Sequence, residues 1–233
     1  MLQVANFNSF YGSSHILHDL TFEARSGEIL TVLGRNGVGK TTLLRSIMGL
    51  TDSTTGLLEF DGRDLAGEPT HKRARAGIAY VPQGREIIPD FSVRENILMG
   101  RFAASDSEKG GGIPEIVGTL FPYLGENLDR PGGLLSGGQQ QQLAIARALA
   151  QQPKMILLDE PTEGIQPNIV EMIEKTIQDL NSKYGLTILL VEQNVAFSRR
   201  ASHRFVMLEN GRAVAEGRAD ELTDDIVRRH MAI

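Results

Sequence analysis

A glycine-rich loop between a strand pattern and a helix pattern restricts the fold of this chain more than any other feature. The loop Gly34–Thr41 reads GRNGVGKT and satisfies the pattern G-x-x-x-x-G-K-[ST]. It follows the apolar run EILTVL and precedes TLLRSIMGL, a helical pattern. A chance glycine loop is the alternative, but the flanking strand and helix favour a phosphate-binding loop.

The residue types of this loop suit a nucleotide phosphate. Glycines let the backbone curl, so that successive N–H groups and the helix N-terminus converge on phosphate oxygens. Lys40 adds a positive charge, and Thr41 supplies a hydroxyl to Mg²⁺. We therefore predict that ATP contacts the whole run, which comprises Gly34, Arg35, Asn36, Gly37, Val38, Gly39, Lys40, Thr41 and Thr42.

Around the loop, short β-like runs alternate with helical patterns, which favours an α/β fold with a mainly parallel sheet. The 233 residues suffice for one such domain, or for a core that carries a smaller subdomain. Several runs are uniformly apolar, as in strands buried on both faces. The predicted strands are Leu2–Phe7, Leu17–Ala24, Glu28–Leu33, Gly56–Phe60, Ile78–Val81, Met155–Leu158, Thr187–Val191 and Arg204–Leu208.

Two other segments have clear local signals. Apolar residues recur at helical spacing from Asn168 to Ser182, and Asn168 is the predicted helix cap. The stretch Ala104–Pro114 is rich in Gly and Ser and lacks periodicity, so we predict a surface loop there.

Composition excludes several classes of function. The formal net charge is −5, and the one short basic cluster, HKRAR at 71–75, is interpreted as a solvated face, so no nucleic-acid partner is predicted. There is no Cys, hence neither a disulfide framework nor a thiolate metal site. We find no secretory signal pattern, and no apolar run approaches the roughly 20 residues that span a bilayer. A membrane role must therefore come through a partner.

A second apolar run, Met155–Leu158, ends in the carboxylates Asp159 and Glu160. Adjacent acids at the end of a buried strand are costly without a cation, a hydrogen-bond network or a water-facing cleft, and a Mg²⁺–nucleotide site explains them well. We predict that Asp159 holds Mg²⁺ through its water shell and that Glu160 polarises the water that attacks the γ-phosphate. A solvated acid pair at a strand end is the alternative.

A third motif lies between the phosphate loop and the acid pair, directly ahead of a helical pattern. This run is LSGGQ, which comprises Leu135, Ser136, Gly137, Gly138 and Gln139. Its hydroxyl and its N–H groups at a helix N-terminus form a second anion site, although a Gly-Ser turn is the alternative. With the other two motifs in this order, the chain resembles the ABC-type ATPases over nearly its whole length.

The resemblance implies an architecture and a way of working. The fold is expected to be a P-loop NTPase of ABC type, with a small N-terminal antiparallel β subdomain. A nucleotide-binding core would comprise about 1–86 and 151–233, and an inserted helical subdomain with the signature about 87–150. In this family the signature of one subunit closes on the γ-phosphate held by the other, which implies a head-to-tail pair with two ATP molecules at its interface.

The resemblance also assigns roles to single residues. Tyr11 falls where an aromatic ring stacks on adenine, although local packing in the FYG turn is the alternative. Gln83 in YVPQGR matches the glutamine that reaches Mg²⁺ and the attacking water, with a plain turn residue as the alternative.

Two positions depart from the family pattern. Gln166 replaces an aspartate that many relatives have in the interface loop after the catalytic glutamate, and its uncharged amide can still form hydrogen bonds across an interface. Gln193 replaces the usual histidine at the end of a strand, where its amide can donate to the γ-phosphate. The neighbouring Glu192 and Asn194 are interpreted as the exit of that strand. A surface glutamine is the alternative for Gln193.

Three stretches indicate a subgroup: VPQGREIIP, DEPTEGIQP and LLVEQN. They resemble the shorter ATPase subunits of bacterial importers for branched-chain amino acids and, more closely, for urea or short amides. The resemblance implies two transmembrane permease subunits, an external solute-binding protein, a position at the cytoplasmic face of the membrane and a second homologous ATPase, with a homodimer open for the isolated chain. A non-transport ABC ATPase and a regulatory module with little hydrolysis are the rival classes.

Overall fold

The computed structural model of the chain describes residues 1–104 and 112–231, and these residues form two β-sheets flanked by helices. Most of the predicted Ala104–Pro114 loop, residues 105–111, lies outside the described residues. Among the described residues, no helix combines the length and the apolar character that a membrane crossing requires.

The smaller sheet is antiparallel, has the strand order β2-β1-β4-β5, and confirms the expected N-terminal β subdomain. Its long strands extend beyond the predicted runs, because register shifts interrupt the pairing and with it the alternation of apolar and polar residues. Asn6, at one of these shifts, has a left-handed φ of 47°. The strands are β1 (Leu2–Tyr11), β2 (Ser14–Ala24), β4 (Ser53–Phe60) and β5 (Arg63–Asp64).

The larger sheet has the order β10-β9-β3-β8-β7-β6, and it is parallel from β9 to β6 with β10 added antiparallel at one edge. The mainly parallel sheet is therefore confirmed. Strands β3, β7 and β8 are buried along their whole length, which explains their continuous apolar runs. The strands are β3 (Ile29–Leu33), β6 (Ile78–Val81), β7 (Met155–Asp159), β8 (Thr187–Glu192), β9 (Arg204–Glu209) and β10 (Arg212–Arg218).

The α-helices of the described residues pack around the larger sheet and between 93 and 149 form a helical layer of their own. Apolar side chains of this layer share one core cluster with the sheet. The helices are α1 (Lys40–Ile47), α2 (Thr70–Arg75), α3 (Val93–Met99), α4 (Glu115–Leu120), α5 (Pro122–Glu126), α6 (Gly137–Leu149), α7 (Pro167–Tyr184), α8 (Val195–Ala201) and α9 (Asp224–Met231).

Two sequence predictions need correction. Helix α7 begins one residue before the predicted cap: Gln166 is the N-cap and Pro167 occupies the first turn, where its missing N–H costs nothing. Arg73, in the basic cluster interpreted as a solvated face, is only 4% exposed. Its guanidinium donates to the carbonyls of Ser46 and Ile47, both at 2.9 Å, and so satisfies the C-terminal end of α1.

Candidate active site

The phosphate-type loop joins the end of β3 to the start of α1 with three glycines that other residues could not replace cheaply. Gly37 and Gly39 have φ values of 81° and 108°, in the left-handed region that side chains disfavour. A Cβ on Gly34 would lie 2.5 Å from the carbonyl oxygen of Leu208. The loop therefore brings its backbone N–H groups round towards the N-terminus of α1, which begins at Lys40.

The loop borders a cleft of about 440 Å³ that also receives residues from other parts of the chain. Of the residues predicted to contact ATP, Arg35 is exposed and Val38 half-buried, and the cleft lining given by the described residues includes neither. The lining residues are Ile16, Asn36, Gly37, Gly39, Lys40, Thr41, Thr42, Gln83 and Glu160.

Lys40 is buried and lines this cleft. Its Nζ donates to the carbonyl oxygens of Gly34 and Arg35 at 2.8 and 2.9 Å, and it forms an ion pair with Glu160 Oε1 at 2.9 Å. The side chains of Lys40 and Glu160 are only 3% and 6% exposed. A buried ion pair of this kind is worth much less than its Coulomb energy, because both ions lose their hydration. An anionic ligand can therefore compete for Lys40.

Glu160 leaves its strand in an unusual backbone conformation. Its φ of 44° lies in the left-handed region, which is strained for a residue with a side chain. Its backbone N–H donates to the carbonyl of Val191 at 3.0 Å. Within the described residues, the buried Oε2 atom has no hydrogen-bond partner. The carboxylate thus has one buried oxygen whose acceptor capacity no described residue uses.

Asp159 lies beside Thr41 and Tyr80, at the end of β7. Thr41 Oγ1 donates to Oδ1 at 3.1 Å, and the Tyr80 hydroxyl donates to Oδ2 at 3.0 Å. Burial raises the pKa of Asp159, and the hydrogen bonds from Tyr80 and Thr41 oppose this rise. Tyr80 was not predicted as a site residue. The sequence feature that could have identified it is its hydroxyl, the only polar side-chain group in β6, the strand that pairs with the strand of Asp159.

Gln83 follows β6 and lines the cleft. Its Nε2 donates to Glu163 Oε2 at 2.6 Å. Glu163, three positions after Glu160, was also missed, although its charge in the stretch DEPTEG is visible in the sequence. The hydrogen bond connects the turn after β6 with the turn after β7.

The oxygen atoms of Thr41 and Gln83 in this cleft and of Asp159 beside Thr41 suit a hard divalent cation. Thr41 offers a hydroxyl, Asp159 a carboxylate and Gln83 an amide oxygen, the ligand types that Mg²⁺ prefers. In the part of the chain that is described, no three His, Cys, Asp or Glu residues form a metal-binding group. Such a cation would therefore depend on phosphate and water oxygens for the rest of its ligands, as is usual for Mg²⁺ with nucleotides.

The LSGGQ run begins α6 and, among the described residues, contributes nothing to the lining of the cleft. Leu135 is buried, and Ser136 caps the helix: its Oγ accepts from the Gln139 N–H at 3.4 Å, and its own N–H donates to Gln139 Oε1 at 2.9 Å. Ser136 and Gly137 are exposed. The start of α6 is thus open to solvent and, in the described part of the chain, not part of the cleft that Lys40 lines.

Tyr11, Gln166 and Gln193 are not among the described residues that line this cleft. Tyr11 is half-buried at the end of β1, and the lining formed by the described residues has Ile16 instead. Gln166 is exposed at the start of α7, and Gln193 is exposed after β8. Glu192 ends β8, in agreement with its interpretation as the exit of the strand, but its side chain is only 1% exposed. Asn194 also marks the exit, since it caps α8.

Proteins of known families resemble this chain over most of its length. The family sequence model described as ABC transporter matches residues 17–163. A high-affinity branched-chain amino acid transport ATP-binding protein, BraG of Pseudomonas aeruginosa, is 39% identical over 92% of this chain and 91% of its own length. A probable branched-chain amino acid transport ATP-binding protein, LivF of Archaeoglobus fulgidus, is 36% identical over 96% of this chain and 94% of its own length.

Solved structures share the fold. An ATP-binding subunit of an ABC transporter aligns with a TM-score of 0.79 at 28% identity and covers 100% of this chain and 94% of its own. An ATP-binding cassette in a dimeric, post-hydrolysis state with ADP and Pi aligns with a TM-score of 0.80 at 25% identity and covers 94% of this chain and 99% of its own. The predicted fold class is therefore confirmed.

Proposed function

Because the chain belongs to the ABC transporter family and is one of its ATPases, we propose that it powers a bacterial importer as one of two paired ATP-binding subunits. The proposal rests on the observation that the predicted site residues of one chain do not all line the same cleft. Lys40, Glu160 and Gln83 line one cleft, whereas Ser136, at the start of α6, is not among the described residues that line it. Each chain then supplies two different half-sites, and a complete site needs a second chain.

In the proposed reaction the loop Gly34–Thr42 holds the phosphates of ATP through backbone N–H groups and Lys40. Phosphate oxygens compete with Glu160 for the Lys40 ammonium, to which Glu160 is bound at 2.9 Å. The released carboxylate accepts a proton from water as the water attacks the γ-phosphate, and ADP leaves. Gln193 donates its amide N–H to a γ-phosphate oxygen, the role that a histidine has in many relatives.

Two further contacts complete the proposed nucleotide site. Tyr11 moves its ring against adenine from the end of β1, next to the cleft residue Ile16. Thr41, Asp159 through water, and Gln83 would hold Mg²⁺, which when bound supplies charge neutralisation of the phosphates.

The second chain is proposed to close on this site with its LSGGQ run, so that Ser136 and the N–H groups of Gly137 and Gly138 meet the γ-phosphate. Leu135 anchors the run in the core, and Gln139 fixes Ser136 through the capping contacts. Gln166, exposed at the start of α7, contributes the interface loop. In the assembled importer the partner is a homologous ATPase, and the isolated chain pairs with itself.

A surface for the permease subunits is proposed on the helical layer. Phe91 and Leu134 are 38% and 65% exposed, and their segments are joined by the Gly132 N–H, which donates to the Phe91 carbonyl at 2.7 Å. Met99 and Phe102 are also exposed, at 41% and 75%. Exposed apolar side chains of this size are typical of interaction surfaces. Docked there, the chain lies at the cytoplasmic face of the membrane, and the permeases receive solute from an external binding protein.

For the solute we propose urea or a short amide, and the support is the resemblance of VPQGREIIP, DEPTEGIQP and LLVEQN to the urea-type subunits. Branched-chain amino acids are the second candidate, favoured by the relatives BraG and LivF, whose names carry that substrate. Neither solute contacts this chain, because the permease and the binding protein select it.

The test is to measure which solute stimulates ATP turnover. The assay uses the complex of this chain with its permeases, homologous ATPase and binding protein, reconstituted in lipid vesicles. We expect phosphate release to rise several-fold with urea or acetamide and to stay at its basal rate with leucine. Stimulation by leucine alone would transfer the assignment to branched-chain amino acids. No stimulation by any of them, together with co-purification of nucleic acid rather than permeases, would contradict an importer.

The matched control is the same complex with Glu160→Gln in this chain. It should bind ATP normally and accumulate as a closed pair, because the base that promotes hydrolysis is lost at an otherwise unchanged site. Near-normal turnover at the site of the variant chain would contradict the assignment of Glu160 as the base that promotes hydrolysis. Turnover near zero in the unmodified complex as well would favour a regulatory module.

A further inference from the structure

Glu192 is a buried carboxylate that the proposed reaction does not use. It is the last residue of β8, it is 1% exposed, and the described residues that line the nucleotide cleft do not include it. Burying a charged group is unfavourable unless hydrogen bonds replace its water shell. The hydrogen bonds of Glu192 must therefore offset the cost of burying its charge.

Both carboxylate oxygens of Glu192 accept hydrogen bonds from turns that leave the sheet. Oε1 accepts from the Thr162 hydroxyl at 2.7 Å and from the Thr162 N–H at 3.4 Å. Oε2 accepts from the N–H groups of Gln193 and Asn194 at 3.1 and 3.2 Å. Three of these donors are backbone N–H groups, which can only donate, so the site requires an acceptor at both oxygens.

The backbone at the end of β8 also contacts Glu160 and the phosphate loop. The Val191 carbonyl accepts from the Glu160 N–H at 3.0 Å, and the Glu192 carbonyl accepts from the Gly34 N–H at 3.3 Å. The turn from Glu160 to Thr162 is thus held at two points, one of them the Glu192 side chain. The left-handed backbone of Glu160, with a φ of 44°, is a strained conformation that needs such support.

Burial raises the pKa of Glu192, and the hydrogen bonds from Thr162, Asn194 and Gln193 oppose that rise. Every contact of the side chain suits the ionised form, since the N–H groups donate to both oxygens. A glutamine at this position would place an NH₂ group against at least one N–H group. The side chain is therefore specific in charge as well as in shape.

We propose that Glu192 is a positioning residue for ATP hydrolysis, whose carboxylate binds the turn that carries Glu160 to the turn that carries Gln193. The inference rests on the proposed roles of Glu160 and Gln193. It predicts that loss of the carboxylate misplaces both side chains relative to the γ-phosphate while the phosphate loop still binds ATP. Small misplacements of catalytic groups cost up to about 100-fold in rate.

The experiment measures ATP turnover and ATP affinity for Glu192→Gln, Thr162→Val and Thr162→Ser. We expect Glu192→Gln to lower kcat by about 10- to 100-fold with the ATP affinity within about twofold of the unmodified protein. Thr162→Val should lower kcat in the same way but less, because it loses one of four donors. Thr162→Ser keeps the hydroxyl and should restore most of the activity.

A double variant and a matched buried glutamate separate positioning from general stability. Adding Thr162→Val to Glu192→Gln should cause little further loss, because both changes break one connection. Glu28→Gln is the control: Glu28 is 7% exposed, accepts from the Arg25 N–H, and lies before β3, at the end opposite the phosphate loop. It should leave kcat unchanged.

Unchanged kcat in Glu192→Gln, or an equal loss in Glu28→Gln, would overturn the proposal. So would a loss of kcat that Thr162→Ser shares with Thr162→Val. If Glu192→Gln does not fold, the two Thr162 variants decide alone, since Thr162 is partly exposed in a turn. Failure of the proposed function is recognised separately, because Glu160→Gln would then retain its turnover.

Discussion

At the residue scale, the site depends on carboxylates whose environments differ sharply. Glu160 is paired with Lys40, whereas Asp159 has the neutral partners Thr41 and Tyr80. An ammonium stabilises the ionised carboxylate through its charge, and a hydroxyl does so only through one hydrogen bond. Loss of one of these two donors should therefore raise the pKa of Asp159.

The hydroxyl of Tyr80 should set the acid side of the activity profile. Burial raises the pKa of Tyr80, so the hydroxyl remains a protonated donor throughout the working range. Its hydrogen bond lowers the pKa of Asp159, and Tyr80→Phe therefore raises that pKa. Because Asp159 acts in its ionised form, the acid limb of kcat/KM should move to higher pH. Turnover above the limb should change little.

The measurement is the pH profile of kcat/KM for ATP, which reports groups of the free enzyme. Tyr184→Phe is the control, because Tyr184 is 45% exposed at the end of α7 and remote in sequence from the cleft. Superimposable profiles for Tyr80→Phe and the unmodified protein would exclude the proposed influence on Asp159.

At the element scale, α6 carries the LSGGQ run and contacts both the start of α7 and the turn after Gln83. Its first turn packs against the start of α7, where a Cβ on Gly138 would lie 2.5 Å from Ile169 Cγ2. Further along, Arg147 donates to the carbonyls of Glu86 and Arg85 at 2.7 and 2.9 Å, in the turn after Gln83. Movement of the Gln83 turn is therefore coupled to the helix that carries the LSGGQ run.

The contact between α6 and α7 gives a prediction with its own rescue. Gly138→Ala forces the two helix starts apart, and overpacking of this kind costs about 1–3 kcal/mol. We expect a lower Tm and a larger loss of ATP turnover, because the Ser136 end of α6 is displaced. Adding Ile169→Ala removes the clashing Cγ2 atom and should restore part of both. Thermal unfolding and phosphate release measure the two effects.

The control for this pair is Gly118→Ala in α4, where an added Cβ meets no atom within 4 Å and the glycine is exposed. Alanine is the better helix former, so this variant should be neutral or slightly stabilising. Additive losses in the double variant Gly138→Ala with Ile169→Ala would show that the helices do not interfere as the structure predicts.

At the scale of the whole molecule, the phosphate loop and the LSGGQ run of one chain do not line the same cleft among the described residues, so the proposed chemistry requires a pair of chains. A Lys40→Ala chain lacks a working phosphate loop but keeps its LSGGQ run. A Ser136→Arg chain has the opposite defect, and Ser136 is exposed, so the substitution leaves the core intact. A head-to-tail pair of one chain of each kind contains one complete site.

We therefore expect each variant alone to be nearly inactive and their equal mixture to recover about a quarter of the normal turnover, because half of the random pairs contain one complete site out of two. The measurement is phosphate release by the isolated chains. The control replaces the Ser136→Arg chain by a Lys40→Ala/Ser136→Arg chain, which should give no recovery. No recovery in the test mixture would contradict a shared site.

The contiguous motifs were predictable from sequence because all their atoms lie on one short segment. The run Gly34–Thr42, the pair Asp159–Glu160 and the run Leu135–Gln139 each combine a strand or helix end with the side chains that act there. The parallel sheet was equally predictable, since strands buried on both faces leave uniformly apolar runs. Helix ends were less certain, as the Gln166 cap of α7 shows.

What the sequence alone determined is thus the fold class and the chemical groups of the site, because local pattern and local chemistry coincide there. Only the tertiary structure decided which groups touch. Thr162, which binds Glu192, lies 30 residues away along the chain, and the partners of Tyr80 and Gln83 lie 79 and 80 residues away. Neither their distances nor the burial that shifts the pKa of Glu192 and Asp159 exists before the strands are placed side by side.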